Sequence, residues 1–78
     1  MSLSALASSA NWEDVDSSNI ARIAFDEETA SILVQFKDGG QYAYDDCTSR
    51  LYEQFKNADS VGKFFHRNIK PKTSERLN

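Results

Sequence analysis

Seventy-eight residues, 27% charged and 40% hydrophobic, leave room for one globular domain with a small core, and exclude both a second domain and a disordered chain. The single cysteine, Cys47, excludes an internal disulfide. No apolar run approaches the roughly 20 residues of a membrane helix, and Met1–Ala10 lacks the basic start and long apolar centre of a targeting signal, so a cytoplasmic location with no membrane partner is expected. The net charge of −3 hides an asymmetry: residues 1–49 hold two bases against nine acids, −7, and residues 50–78 hold seven bases against three acids, +4.

Residues 1–17 are rich in Ser and Ala, with Leu3, Leu6 and Trp12 as their only large apolar groups, and read as a mobile arm. Ser18–Phe25 alternates with period two, placing Ala21, Ile23 and Phe25 on one face, and reads as a strand. Asp26-Glu27-Glu28-Thr29 is a turn, and Ala30–Phe36 a second strand with Ile32, Val34 and Phe36 on one face. Setting Phe25 opposite Ile32 pairs Ile23 with Val34 and Ala21 with Phe36, so the apolar sets share a face.

Phe36-Lys37-Asp38-Gly39-Gly40-Gln41-Tyr42-Ala43-Tyr44 is the pivotal stretch. A two-residue Asp38-Gly39 loop turns Tyr42 and Tyr44 away from Val34 and Phe36. A three-residue Asp38-Gly39-Gly40 loop, with a glycine in the left-handed conformation, pairs Phe36 with Tyr42 and Val34 with Tyr44 on one face. The second glycine favours the longer loop, which makes the tyrosines core. Beyond Asp45-Asp46, Thr48 and Ser49 are capping candidates for a helix carrying Leu51, Tyr52, Phe55 and Ala58 on one stripe. Ser60 caps a second helix with Val61, Phe64, Phe65 and Ile69 inward, and Pro71 discourages its continuation. Residues 71–78 read as a basic tail, frayed or extended. The expected fold is α+β: a three-stranded antiparallel β-meander followed by two short α-helices packed on one sheet face, with residues 18–70 as the domain. The other sheet face, with Arg22, Ala24, Leu33, Gln35, Gln41 and Ala43, is expected to be lightly covered.

Ser18-x-Ile20, the Asp26 turn, Phe36-x-Asp38-Gly39-Gly40-x-Tyr42-x-Tyr44, Leu51-Tyr52 and Ser60-x-Gly62-Lys63-Phe64-Phe65 together resemble the KTSC domain over roughly residues 17–72. That family of short bacterial domains is named for the C-terminus of some lysyl-tRNA synthetases and also occurs as free-standing small proteins. The resemblance implies RNA binding through that association. The chain departs from the family in carrying Thr73-Ser74-Glu75 where many relatives have aromatic residues after the basic segment.

The residues give little ground for catalysis. Cys47 and His66, each the sole residue of its type, lie in separate elements, and together they fall short of a zinc set. Adjacent Asp45 and Asp46 point apart, and Asp38-Gly39-Gly40 leads into a strand rather than a phosphate-binding helix. No enzyme, cofactor or metal is expected. The sharper candidate is a nucleic-acid surface: Lys63, Arg67 and Lys70 recur at helical spacing with His66 beside them, and Lys72 and Arg76 continue the basic run. With Tyr42 and Tyr44 in the core, such a surface contacts phosphates without reading bases. The rival expectation is a protein-interaction module using the light sheet face or an edge strand, and a homodimer is compatible with so short a chain.

Overall fold

A computed structural model describes residues 10–78. Strands β1 (Glu13–Asp14), β2 (Ile20–Asp26), β3 (Ser31–Phe36), β4 (Gln41–Tyr44) and β5 (Ser74–Arg76) form one antiparallel sheet in the order β1-β2-β3-β4-β5. Helix α1 spans Ser49–Lys56, and α2, Val61–Phe64, runs straight into a π-helical turn over Phe65–Ile69. The α+β class and the two short helices agree with the sequence, but the sheet has five strands, not three. The added strands are two and three residues long, too short to show alternation. They form because partner strands hold them: β1 pairs Glu13 with Ile23 and Asp14 with Arg22, and β5, beyond both helices, pairs Tyr42 with Arg76, Ala43 with Glu75 and Tyr44 with Ser74. Part of the expected arm therefore enters the sheet as β1, while its residues 1–9, with Leu3 and Leu6, lie outside the described residues.

Local chemistry sets the turns and caps. Asp26 closes the first turn by accepting from the Thr29 amide (3.0 Å) and hydroxyl (2.6 Å). Thr48 Oγ1 accepts from the Leu51 amide at 3.1 Å, and Ser60 Oγ from the Lys63 amide at 3.3 Å, so each helix starts on a side-chain cap. Lys70 N–H donates to the Phe65 carbonyl at 2.8 Å, the five-residue bond that widens the last turn.

Two registers depart from expectation. Phe25 faces Ile32 and Ile23 faces Val34 as the alternation requires, but a bulge between Ile20 and Arg22 sets Ile20, not Ala21, opposite Phe36. The bulge buries the larger side chain: Ile20 belongs to the core while Ala21 is half-buried. At the next hairpin the loop is Lys37-Asp38-Gly39, closed by Phe36 N–H to Gly40 O at 2.8 Å, one step earlier than Asp38-Gly39-Gly40. Val34 then pairs with Tyr42 and Ile32 with Tyr44. Parity is unchanged, so both tyrosines keep to the face of Val34 and Ile32.

That face carries the main core. Ile23, Ile32, Val34 and Tyr44 pack beneath Tyr52 and Phe55 of α1 and Val61, Phe65 and Ile69 of the α2 segment. Phe65 is the hub: its ring lies 5.5 Å from Phe36 and 5.3 Å from Tyr44, both edge-on, and 6.4 Å from Phe55. The opposite face is not lightly covered. Leu33 (0% exposed) and Ala43 (3%) lie with Ala24 under Leu77 (5%), flanked by Trp12 and Ala10. Ala10 and Trp12 from one side and Leu77 from the other fold over this face, which the sequence suggested would be lightly covered. Beside it a polar row closes the face: Arg22 Nε donates to Gln35 Oε1 (2.7 Å), Gln41 Nε2 donates to the same oxygen (2.9 Å), and the Arg22 guanidinium lies 4.9 Å from the centre of the Trp12 ring.

Candidate nucleic-acid interface

The α2 segment presents one buried and one exposed side. Val61, Phe65 and Ile69 point into the core, while Lys63, His66, Arg67 and Lys70 are exposed. Among the described residues both ion pairs belong to Lys56, at 3.7 Å from Glu13 and 3.4 Å from Glu53. Lys63, Arg67 and Lys70 therefore meet no carboxylate, and their charge is directed at solvent.

The π-turn redistributes the basic residues. On a regular helix Lys63, Arg67 and Lys70 share a face, but the widened turn carries Lys70 round toward His66 and Gly62. Those three line a groove of about 520 Å³ between the helix, the Lys37–Asp38 hairpin and the Ser18–Asn19 link, whereas Lys63 and Arg67 lie outside it. The floor is aromatic: Phe36, Tyr42, Tyr44 and Phe65.

The basic residues after Pro71 take other places. Lys72 Nζ donates to the Asp46 carbonyl at 2.7 Å and fastens the β4–α1 connection. Arg76 lies on β5 with its guanidinium 5.7 Å from the centre of the Tyr42 ring. The six basic candidates thus divide into an exposed helical four, one backbone clamp and one sheet residue. Lys37, which sequence reasoning left out, joins the groove from the hairpin. Its position beside the glycine pair signals a loop, but only the fold shows that this loop tip faces the helix.

Tyr44 is buried (6% exposed), and burial, with a smaller contribution from neighbouring Tyr42, pushes its phenol up from the ordinary tyrosine range. Tyr42 is half-buried, with the Phe36 ring 5.8 Å away edge-on. On the groove floor the two residues are therefore one buried core member and one half-buried ring, not a paired exposed platform.

Cys47 is buried under the sheet with its S–H directed at the Tyr44 and Asp45 carbonyls, at 3.2 and 3.4 Å, and burial pushes the thiol up. It does not line the groove that holds His66. A second cluster, also unseen in the sequence, ties β1 to α1. The Tyr52 hydroxyl donates to Glu13 Oε2, and Lys56 bridges Glu13. Burial first, and then the Glu13 carboxylate, push the Tyr52 phenol well up. Among the described residues no three His, Cys, Asp or Glu side chains converge as a metal set, and no helix is long and apolar enough to cross a membrane.

A model of the KTSC domain matches residues 16–72. No curated protein matches the chain. Among solved structures, the chain is similar to a KTSC domain protein from Yersinia pestis, with a TM-score of 0.83 at 28% identity, over 90% of this chain and 100% of that one.

Proposed function

This chain belongs to the KTSC domain family, and from that premise we propose that it is a cytoplasmic, non-catalytic binding domain that holds single-stranded RNA by its phosphates. The observation that carries the reading is the exposure of Lys63, His66, Arg67 and Lys70 on one short helical segment whose lysines and arginine pair with no carboxylate among the described residues. Cations kept free of internal partners gain most from an external polyanion, because each phosphate they neutralise releases a counterion. The net charge of −3 does not oppose this, since the acids crowd into residues 1–49 and the bases into the rest. The burial of Tyr44 leaves Tyr42 and Tyr44 no paired stacking platform, which argues for backbone contact over base reading along the strand. For a non-catalytic role, the support is the separation of buried Cys47 from the groove that holds His66.

The test is retention of a single-stranded RNA at increasing salt, for the wild type and for Lys63→Gln/Arg67→Gln/Lys70→Gln. Loss of three phosphate contacts flattens the log–log salt dependence by about 2, at about 0.7 per contact on single strands, with the melting temperature nearly unchanged. A wild type that releases RNA even at low salt overturns the reading, and nuclease-resistant partners in a pull-down identify a protein partner in its place.

A further inference from the structure

The groove beside α2 carries more than a basic surface requires. Its volume of about 520 Å³ lies within the range of small-molecule sites, and it combines an apolar floor with a few convergent polar groups. The floor offers ring surface, because Phe36 and Tyr42 are only half-buried. Positive charge enters from two separate elements, Lys37 from the β3–β4 hairpin and Lys70 from the end of the π-turn, with His66 one turn before it. The one acid on the lining, Asp38, is held in its own turn by accepting from the Gly40 amide at 2.8 Å. Asn19 and Ser18 complete the rim as neutral hydrogen-bonding groups. An aromatic floor under a cationic rim selects a flat ring that carries an anion. π-turns recur at functional sites, and here the extra residue brings Lys70 to the groove.

We propose that this groove binds a nucleoside monophosphate, either free or as the 5′-terminal nucleotide of an RNA strand, with the ring against Phe36 and Tyr42 and the phosphate between Lys37 and Lys70. The proposal deepens the RNA reading, and rests on it for choosing a nucleotide among ring-bearing anions.

The probe is adenosine 5′-monophosphate, followed by amide chemical shifts of the isotope-labelled protein. Saturable shifts at Lys37, Gly62, His66 and Lys70 are expected, with adenosine and ribose 5-phosphate each about tenfold weaker or more, because each lacks one half of the recognised chemistry. Lys37 is exposed and meets no carboxylate among the described residues, so Lys37→Gln folds normally and weakens the nucleotide by about tenfold. Lys63→Gln/Arg67→Gln, outside the groove, leaves the nucleotide affinity unchanged. No saturable shift at about 10 mM nucleotide, shifts confined to Lys63 and Arg67, or an unchanged affinity in Lys37→Gln overturns the proposal. The source is read from two RNAs differing only at the 5′ end. Tighter binding of the 5′-phosphorylated strand, lost in Lys37→Gln, identifies a terminal nucleotide, and equal binding of both strands identifies the free nucleotide. The two readings fail separately: salt-sensitive RNA retention without nucleotide shifts removes only the groove ligand, while nucleotide shifts without RNA retention remove only the polymer.

Discussion

Gly39 and Gly40 stand side by side and meet different demands. Gly39 sits at φ +98°, in the left-handed region that L side chains rarely adopt, with open space around it. Gly40 has no such backbone, but a Cβ there would lie 3.2 Å from both Tyr42 Cε1 and Asp38 Oδ1. The first glycine allows the turn, and the second lets the Tyr42 ring lie against it. Gly39→Ala therefore costs about 1–2 kcal/mol of stability by backbone strain alone, read from urea denaturation midpoints. Gly40→Ala forces Tyr42 to give by a few tenths of an ångström and shows in the chemical shifts of the groove floor. The doubled glycine is legible in the sequence as a three-residue turn, and so is the face on which the tyrosines land. The assignment of each glycine is not, because it depends on where the Tyr42 ring comes to rest.

Among the elements, β5 makes an edge strand of the polar tail, which the sequence left as frayed or extended. Thr73-Ser74-Glu75-Arg76 has no apolar alternation, and Leu77 is a lone hydrophobe near the end of a basic run. Its worth comes from what it covers: Leu77 closes the Ala24–Leu33–Ala43 face, its amide donates to the Gln41 carbonyl at 2.7 Å, and Asn78 reaches the Gln41 amide and the Gly39 carbonyl. Leu77→Ala is expected to cost about 2–3 kcal/mol in urea denaturation, as truncation of a buried leucine does. A change within about 0.5 kcal/mol is what a frayed tail would give. The central strands and both helix starts are legible from alternation and caps, which are local signals. The edge strands and the π-turn are not, since a two- or three-residue strand is defined only by its neighbour and a widened turn only by the core it follows. The π-turn also explains why the basic candidates part company. Helical spacing puts Lys70 with Lys63 and Arg67, and the structure puts it with His66 and Lys37.

At the scale of the whole molecule, three protons are held by burial. Cys47, Tyr44 and Tyr52 all have pKa values pushed up, each first by desolvation, and Tyr52 also by the carboxylate its hydroxyl serves. The unfolded chain releases these protons near the ordinary thiol and phenol values, while the folded chain still keeps them. Their stabilising contribution is thus complete below about pH 8 and declines as pH rises toward the raised folded values. Urea midpoints should fall steadily between about pH 9 and pH 11, and Tyr52→Phe, which has no proton to release, should flatten that fall. A midpoint independent of pH across that range would mean that the phenols and the thiol are as open to water in the folded protein as in the unfolded one.

The strand order has a kinetic side. Each ladder from β1 to β4 joins neighbours in the sequence, so these pairings close short loops, whereas the β4–β5 ladder closes only after both helices have been traversed. An ordering follows in which the meander forms early and the last strand zips on after the transition state. Leu77→Ala should then steepen neither chevron arm and leave the refolding rate nearly untouched, with the lost stability appearing as faster unfolding. The C-terminal residues would act as a latch that sets how long the native state lasts, not how quickly it is reached.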